Sequence, residues 1–209
     1  MKTGIIFDLD GTLWDTSDEV RTSWNQALRN IDGIDKQLDK EEMDSYFGKL
    51  LEEIFDLMLP DTTMELKLKA MKSCCEVEEA YLREHGGNLY PDLEVTLRQL
   101  KKDFDLFIVS NCQDGYIQTF LEYHKLEDVF LDIEMAGRTK KPKGENIKII
   151  MERNNIKNAV YVGDTAKDRE ASQIAGVKFV YASYGFGNLH HYDYRIDKFS
   201  DLIEESKKF

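Results

Sequence analysis

The sequence predicts an α/β fold in which a parallel sheet is flanked by helices and carries an inserted all-α cap domain. Three observations lead to this prediction. Apolar runs alternate with helical patterns along most of the chain. The first run, residues 5–7, is apolar throughout, as in a parallel strand buried on both faces. About 95 residues then separate Asp10 from the next strand run, whereas a βαβ unit needs only about 30.

The elements of the core follow from these patterns in chain order. A helix over residues 93–102 is introduced by Tyr90-Pro91-Asp92, and Gly176 ends the helix over residues 166–175. Alternating strands and helices indicate right-handed βαβ crossovers. The predicted strands are 5–7, 106–109, 130–135, 159–162 and 178–182, and the other core helices are 114–123 and 145–154.

The long segment between the first two strands contains almost no strand signal. Helix formers predict helices over residues 17–30, 40–47, 50–59 and 62–85. Ser17 or Asp18 caps the first of these and Asp39 the second. We therefore expect a catalytic core over residues 1–15 and 89–209. The cap over residues 16–88 is expected to cover the carboxyl end of the first strand as a lid.

Composition excludes several classes of partner. The formal net charge of −12 opposes nucleic acid and anionic lipid surfaces, and 42% hydrophobic residues are enough for a folded core. There is no apolar run of about 18 residues and no signal-peptide pattern, so we expect a cytoplasmic protein without membrane contact. The three cysteines show no metal-ligand spacing. Nothing in the sequence requires a larger assembly, so we expect a monomer or a weak homodimer.

Two carboxylates follow the first strand. Asp8 and Asp10 are spaced i, i+2, which places both side chains on one side at the carboxyl end of the strand, where ligands bind in open α/β sheets. Two anions held so close need a cation such as Mg²⁺, which prefers oxygen ligands. Gly11 permits a tight turn, and Thr12 adds a hydroxyl and an amide for an anionic ligand.

Polar groups also follow the later strands. Ser110 and Asn111 can donate hydrogen bonds to phosphate oxygens, and residues 138–144 form a cationic loop in an acidic chain. Asp164 offers a third oxygen for a metal, and Asp168 lies one turn into the next helix. Taken singly, each of these has an ordinary explanation as a turn, a helix cap or a solvated loop. Together they predict a metal-assisted phosphate site.

The motifs, in this order, resemble those of the haloacid dehalogenase superfamily. The likeness spans residues 3 to about 182, with the helical insertion in the position of the family's cap. More narrowly, the chain is similar to the phosphoglycolate-phosphatase-like branch. That resemblance implies a Rossmann-like core, a helical C1-type cap and hydrolysis of a small phosphate monoester. The matching segments are Asp8-Leu9-Asp10-Gly11-Thr12, Ser110-Asn111, Lys141-Pro142, and Gly163-Asp164 with Asp168.

The resemblance also implies roles for these residues. Asp8 would attack phosphorus and become an aspartyl phosphate, and Asp10 would act as general acid and then as general base. Mg²⁺ would be held by Asp8, the carbonyl of Asp10 and Asp164, with Asp168 orienting these ligands or the lysine. The phosphoryl oxygens would be bound by the hydroxyls of Thr12 and Ser110 and the amides of Leu9 and Asn111.

One motif departs from the family pattern. The family usually has Lys-Pro-x-Pro, whereas this chain has Lys141-Pro142-Lys143-Gly144. Either lysine can therefore be the catalytic, phosphate-binding one, and counting residues forward to Asp164 favours Lys141. In the cap, Lys49 either contacts a carboxylate or a second phosphate of the substrate or is an exposed lysine after a helix-ending glycine.

Related chemistries fit the sequence less well. Dehalogenases and phosphonate-cleaving relatives lack the second aspartate, which is Asp10 here. A phosphosugar mutase would carry a histidine where this chain has Val20. A signalling protein that accepts phosphate on Asp8 would have no cap of this size. The substrate stays open among phosphoglycolate, a nucleotide, pyrophosphate and a sugar phosphate.

Overall fold

The computed structural model describes residues 2–209, and its centre is a six-stranded parallel sheet. The strand order is β5-β4-β1-β6-β7-β8. This confirms the predicted α/β fold with a parallel sheet between helices. The strands are β1 (Gly4–Phe7), β4 (Asp105–Ser110), β5 (Asp132–Met135), β6 (Ala159–Gly163), β7 (Lys178–Ala182) and β8 (Tyr194–Ile196), with a separate pair β2 (Trp14–Asp15) and β3 (Asn88–Leu89).

β1 lies between β4 and β6, and this position fixes the site. Ile5 is opposite Leu106 on one side and Val160 on the other, and all four residues of β1 are buried. Since the three strands are parallel and in register, their carboxyl ends meet at one edge of the sheet. The polar residues that end or follow them therefore come together.

The helices lie in the order expected from the sequence. One face of the sheet packs its Ile6, Phe107, Tyr161 and Phe179 side chains with residues of α8 and α9. The opposite face belongs to a larger apolar cluster that continues into residues 20–82. The helices are α1 (Ser17–Leu28), α2 (Lys40–Asp44), α3 (Leu51–Met58), α4 (Met64–His85), α5 (Leu93–Leu100), α6 (Tyr116–His124), α7 (Ala136–Thr139), α8 (Lys143–Arg153), α9 (Ala166–Ala175) and α10 (Leu202–Glu205).

Four helices, α1 to α4, lie between β2 and β3, inside the segment predicted as the cap. β2 and β3 pair antiparallel, with Trp14 opposite Leu89, so the two connections to this segment run side by side. The cap limits at residues 16 and 88 themselves stay a prediction. In residues 2–209, no helix combines the length and apolar character that a bilayer span requires.

Several local predictions need correction. The N-cap residue of α1 is Thr16, so neither Ser17 nor Asp18 caps this helix, and the N–H of Ser17 donates to Asp15 at 2.9 Å. Asp39 does cap α2. α6 begins at Tyr116 because Gly115 has a positive φ of 99°. The segment predicted as helix 40–47 ends at residue 44, strand 130–135 begins at residue 132, and α7 and β8 were not predicted.

Phe107 provides a test of the packing on the α8 and α9 face. Its ring is fully buried in the sheet, so Phe107→Ala leaves a cavity and should lower the free energy of unfolding by about 3–5 kcal/mol. Urea denaturation followed by circular dichroism measures the change. Val95→Ala, at a side chain 70% exposed on α5, should change it by less than about 0.5 kcal/mol. Equal losses in the two variants would contradict this core assignment.

Candidate active site

The site is assembled from the ends of three neighbouring strands and the first turns of two helices. Asp8 follows β1, Ser110 ends β4 and Asp164 follows β6. Lys143 is the first residue of α8, and Asp168 lies in the first turn of α9. Asp8 and Ser110, together with Asp10, line a cavity of about 60 Å³ between these strand ends and the cap.

A buried lysine joins two of the carboxylates. Lys143 Nζ lies 2.8 Å from Asp8 Oδ2 and 2.5 Å from Asp168 Oδ1, and all three side chains are almost fully buried. Burial opposes the charged form of Lys143, but the two carboxylates raise its pKa further than burial lowers it. Burial also raises the pKa of Asp168, and the ion pair with Lys143 outweighs it, so the net shift is downward.

Asp168 has no carboxylate oxygen left without a partner. Its Oδ2 accepts hydrogen bonds from the N–H of Thr165, at 2.9 Å, and from the hydroxyl of the same residue, at 2.6 Å. Thr165 Oγ1 in turn accepts the N–H of Asp168, which forms a capping box at the start of α9. Asp168 is thus fixed by the helix and holds Lys143 beside Asp8.

Asp164 is fully buried and is held by a loop that follows β7. Its Oδ2 accepts the N–H of Phe186 at 2.7 Å, and its Oδ1 lies 3.5 Å from Thr12 Oγ1. Gly11 has a positive φ of 77° and lies so close to Asp164 that a Cβ there would overlap the carboxylate. A Cβ at Gly185 would overlap both Asp164 and the Gly11 carbonyl. Only glycines let this loop close over Asp164.

The carboxylates form a set that a divalent cation fits. One oxygen each from Asp8, Asp164 and Asp168 lies within 4.8 Å of the other two. Asp8 Oδ1 is buried and has no hydrogen-bond partner among residues 2–209. Burial, followed by the nearby charge of Asp168, raises the pKa of Asp8 and brings that of Asp164 to about 8. Ionised oxygens packed this closely are stabilised by a hard cation such as Mg²⁺.

Asp10 is held apart from this set by three hydrogen bonds to one oxygen. Its Oδ1 accepts from Trp14 Nε1 at 2.9 Å, Thr16 Oγ1 at 3.1 Å and Tyr116 OH at 2.9 Å. The two hydroxyls also lie 3.0 Å from each other. Burial raises the pKa of Asp10 to about 6, although these three donors lower it in part. None of these bonds uses Oδ2, so the second oxygen is available for proton transfer.

Only some of the other predicted phosphate-binding residues line the cavity. Ser110 and Asn111 line the cavity, and Asn111 Nδ2 donates to the carbonyl of Gly48 in the cap at 3.1 Å. Thr12 is fully buried and its hydroxyl faces Asp164, so it does not line the cavity. The side chain of Leu9 belongs to the core, and its carbonyl accepts main-chain hydrogen bonds from the turn that follows.

The preference for Lys141 over Lys143 does not agree with the structure. Pro142 precedes the first turn of α8, so the first helical residue, Lys143, reaches Asp8, while Lys141 lies exposed in the loop. Counting residues along the chain could not locate where α8 begins. Lys49 is half-exposed; it lines the cavity, and its ammonium donates to the carbonyl of Ser45.

Sequence reasoning missed several residues of the site. Tyr116, Gln113 and Phe186 come from loops or helix starts whose positions depend on the tertiary fold. Glu78 did carry a signal, because it occupies one position in a stripe of buried residues spaced by four along α4. The stripe consists of Ala70, Cys74, Glu78 and Leu82. A buried carboxylate in an otherwise apolar row of a helix indicates a functional site.

The two lysines of the loop form a matched pair for experiment. Lys143→Ala leaves Asp8 and Asp168 buried without a cationic partner and should lower the free energy of unfolding by about 3–5 kcal/mol. Lys141→Ala, at an exposed position, should change it by less than about 0.5 kcal/mol. Urea denaturation in the presence of EDTA measures both. A greater loss in the Lys141 variant would restore the original preference.

Comparisons with known proteins agree with this architecture. The family model of haloacid dehalogenase-like hydrolases matches residues 5–182. A phosphoglycolate phosphatase from Aquifex aeolicus is 28% identical over 211 residues, which cover 96% of this chain and 94% of that protein. A phosphoglycolate phosphatase from Vibrio vulnificus is 27% identical over 199 residues, covering 88% of this chain and 85% of that protein.

Solved structures share the fold at lower identity. A haloacid dehalogenase-like family hydrolase from Streptococcus pneumoniae superposes with a TM-score of 0.85 at 20% identity, covering 98% of each chain. The matched family model spans five of the six strands of the sheet, β1 and β4 to β7, and all the strand-end motifs. The predictions of an enzyme and of its superfamily are thereby confirmed. The chain belongs to the family of haloacid dehalogenase-like hydrolases.

Proposed function

We propose that this hydrolase is a Mg²⁺-dependent phosphatase that hydrolyses a small phosphate monoester through an aspartyl phosphate on Asp8. The observation that carries the proposal is the environment of that residue. Asp8 has one oxygen bonded to Lys143 and one without a partner, beside Asp164 and at the wall of a cavity. The names of the relatives support phosphate-ester hydrolysis in general.

The first step transfers the phosphoryl group to the enzyme. An oxygen of Asp8 attacks phosphorus, the bond from phosphorus to the ester oxygen breaks, and Asp10 gives its proton to the leaving alcohol. Mg²⁺ held by Asp8, the carbonyl of Asp10 and Asp164 would neutralise the charge of the carboxylates and of the phosphoryl group. Lys143, whose ammonium lies 2.8 Å from Asp8, and Ser110, which lines the cavity, would bind phosphoryl oxygens.

The second step releases phosphate. Asp10, now a carboxylate, removes a proton from water, and the water oxygen attacks phosphorus and displaces the carboxylate of Asp8. The products are inorganic phosphate and an alcohol, and Asp10 is protonated again. The pKa of about 6 suits an Asp10 that must give and take a proton near neutral pH. Its three fixed donors keep it in one orientation through both steps.

The cavity favours a small substrate. Its volume of about 60 Å³ corresponds to a few water molecules, enough for a phosphoryl group and a leaving group of a few atoms. Val20 belongs to the wall, and its apolar side chain cannot transfer a proton, so nothing favours a phosphosugar mutase. The proposed partner is accordingly a small phosphorylated metabolite.

The nucleophile is tested by Asp8→Asn. With Mg²⁺ present, this variant should hydrolyse ethyl phosphate at least about 10³-fold more slowly than the wild type, because an amide oxygen is a poor nucleophile for phosphorus. Phosphate release measures the rate, and EDTA should abolish it in the wild type. Asp18→Asn, at an exposed carboxylate on α1, is the control. Unchanged turnover in the Asp8 variant would refute the proposal.

The role of Asp10 is tested through Tyr116. Tyr116→Phe removes one of the three donors, so hydrolysis of ethyl phosphate, which needs a protonated leaving group, should slow about tenfold. Hydrolysis of p-nitrophenyl phosphate should slow much less, because that anion leaves without a proton. Tyr123→Phe, at an exposed ring on the same helix, provides the control. Equal slowing on both esters would show that Tyr116 does not act through Asp10.

A further inference from the structure

The cavity contains a second carboxylate, which the proposed chemistry does not use. Its wall is polar on the side of the strand ends and partly apolar on the opposite side, where Val20, Met43 and Phe47 contribute. Among these lies Glu78, from the middle of α4, in the same cavity as Asp8 and Asp10. A carboxylate in this position meets the leaving group, since the phosphoryl group occupies the side of Asp8.

Glu78 is buried and held at both oxygens by neutral donors. It is 3% exposed, its Oε1 accepts from Gln113 Nε2 at 2.7 Å, and its Oε2 accepts from the indole N–H of Trp24. Gln113 belongs to the loop after β4, so this bond joins the cap to the core. In the part of the chain from residue 2 to 209, Glu78 forms no ion pair. Each of its oxygens can still accept a further hydrogen bond.

We infer that Glu78 selects the leaving group of the substrate, favouring a hydrogen-bond donor, either a hydroxyl or an ammonium, and rejecting a carboxylate. The inference rests on the proposed function and narrows its substrate class. A donor on the leaving group would satisfy the free acceptor capacity of Glu78. A carboxylate there would be held against Glu78 in a small cavity, where the side chain of Glu78 is only 3% exposed and water screens the repulsion weakly.

The cations near the cavity do not neutralise the charge of Glu78. Lys143 is engaged by Asp8 and Asp168. Lys49 is half-exposed and donates to the carbonyl of Ser45, away from any contact with Glu78. Burial, and to a smaller extent the charge of Asp10, raises the pKa of Glu78 to about 7, which is the behaviour of an acid without a compensating cation. A bound ammonium would supply that compensation.

This selection would separate the chain from relatives named phosphoglycolate phosphatase, because phosphoglycolate carries a carboxylate on its leaving group. The identity of 28% to the Aquifex aeolicus protein leaves room for such a difference in the cap. Glu78 lies on a cap helix, whereas the strand-end residues belong to the sheet. A change of substrate therefore requires no change in the phosphoryl-transfer residues.

Three esters of similar size test the inference: 2-aminoethyl phosphate, 2-hydroxyethyl phosphate and phosphoglycolate, with ethyl phosphate as the reference. At pH 8, above the pKa of about 7 for Glu78, kcat/KM of the wild type with Mg²⁺ should be higher for the aminoethyl and hydroxyethyl esters than for phosphoglycolate. In Glu78→Gln, the ratio of kcat/KM for the aminoethyl ester to that for phosphoglycolate should fall about tenfold or more. The amide keeps an acceptor for Trp24, and Gln113 can turn its own amide to pair with it.

The ratio separates selection from a structural effect. A disturbed cap lowers all rates together and leaves the ratio unchanged. Glu79→Gln, at the next residue, whose carboxylate pairs with Arg83 on the surface, should behave as the wild type. A wild-type preference for phosphoglycolate, or an unchanged ratio in the Glu78 variant, would overturn the inference.

Two further results distinguish a failure of the inference from a failure of the proposed function. If Glu78→Gln does not fold, the order of the three esters with the wild-type enzyme still decides the question. If the wild type hydrolyses none of the esters, ethyl phosphate included, the proposed function fails, and the inference fails with it. A preference for the aminoethyl over the hydroxyethyl ester would identify an ammonium as the donor.

Discussion

The ion pairs of Lys143 are the interaction on which the rest of the site depends. Parallel pairing of β1 with β6 brings Asp8 close to Asp164 and Asp168 in a buried position. Three ionised carboxylates there would repel one another strongly, and one ammonium compensates a single charge. Two negative charges remain, which is the charge that one divalent cation neutralises. The sheet thus creates a concentration of negative charge that a divalent cation can neutralise, and with that cation bound an anionic phosphoryl group can approach Asp8.

The cap completes the cavity through a small number of contacts. Phe47 stacks on Phe186 with ring centroids 4.5 Å apart, and Asn111 bonds to the carbonyl of Gly48. Both contacts join cap loops to loops that also hold site residues, since the N–H of Phe186 donates to Asp164. The loops of the helical segment therefore contact the loop that contains Asn111 and the loop whose Phe186 amide donates to Asp164. Further contacts between this helical segment and the core are the hydrogen bond from Gln113 to Glu78 and the ion pairs of Lys167 with Glu53 and of Arg83 with Glu122.

The sequence predicted the site best where a carboxylate directly follows an apolar strand. Asp8 and Asp164 each follow an uninterrupted apolar strand, so both were expected at the carboxyl edge of a parallel sheet, whereas the direct pairing of β1 with β6 is known only from the structure. The lysine that reaches Asp8 could not be identified in the same way, because the choice between Lys141 and Lys143 depends on where α8 begins. Tyr116 and Phe186 were beyond reach for another reason: each meets its carboxylate across more than twenty residues of chain, through contacts that only the folded molecule defines.

Burial of the ionised side chain of Glu78 lowers the stability of the fold, and such a cost indicates a functional role for the residue. Because its pKa rises from 4.5 to about 7 on folding, the folded protein binds a proton that the unfolded chain releases, and stability falls as pH rises through this range. Full ionisation above pH 7 costs about 3 kcal/mol. An apolar residue would extend the stripe of Ala70, Cys74 and Leu82 without that cost. Trp24 and Gln113 offset only part of it, so a substrate donor in the cavity is the remaining group that can stabilise the carboxylate.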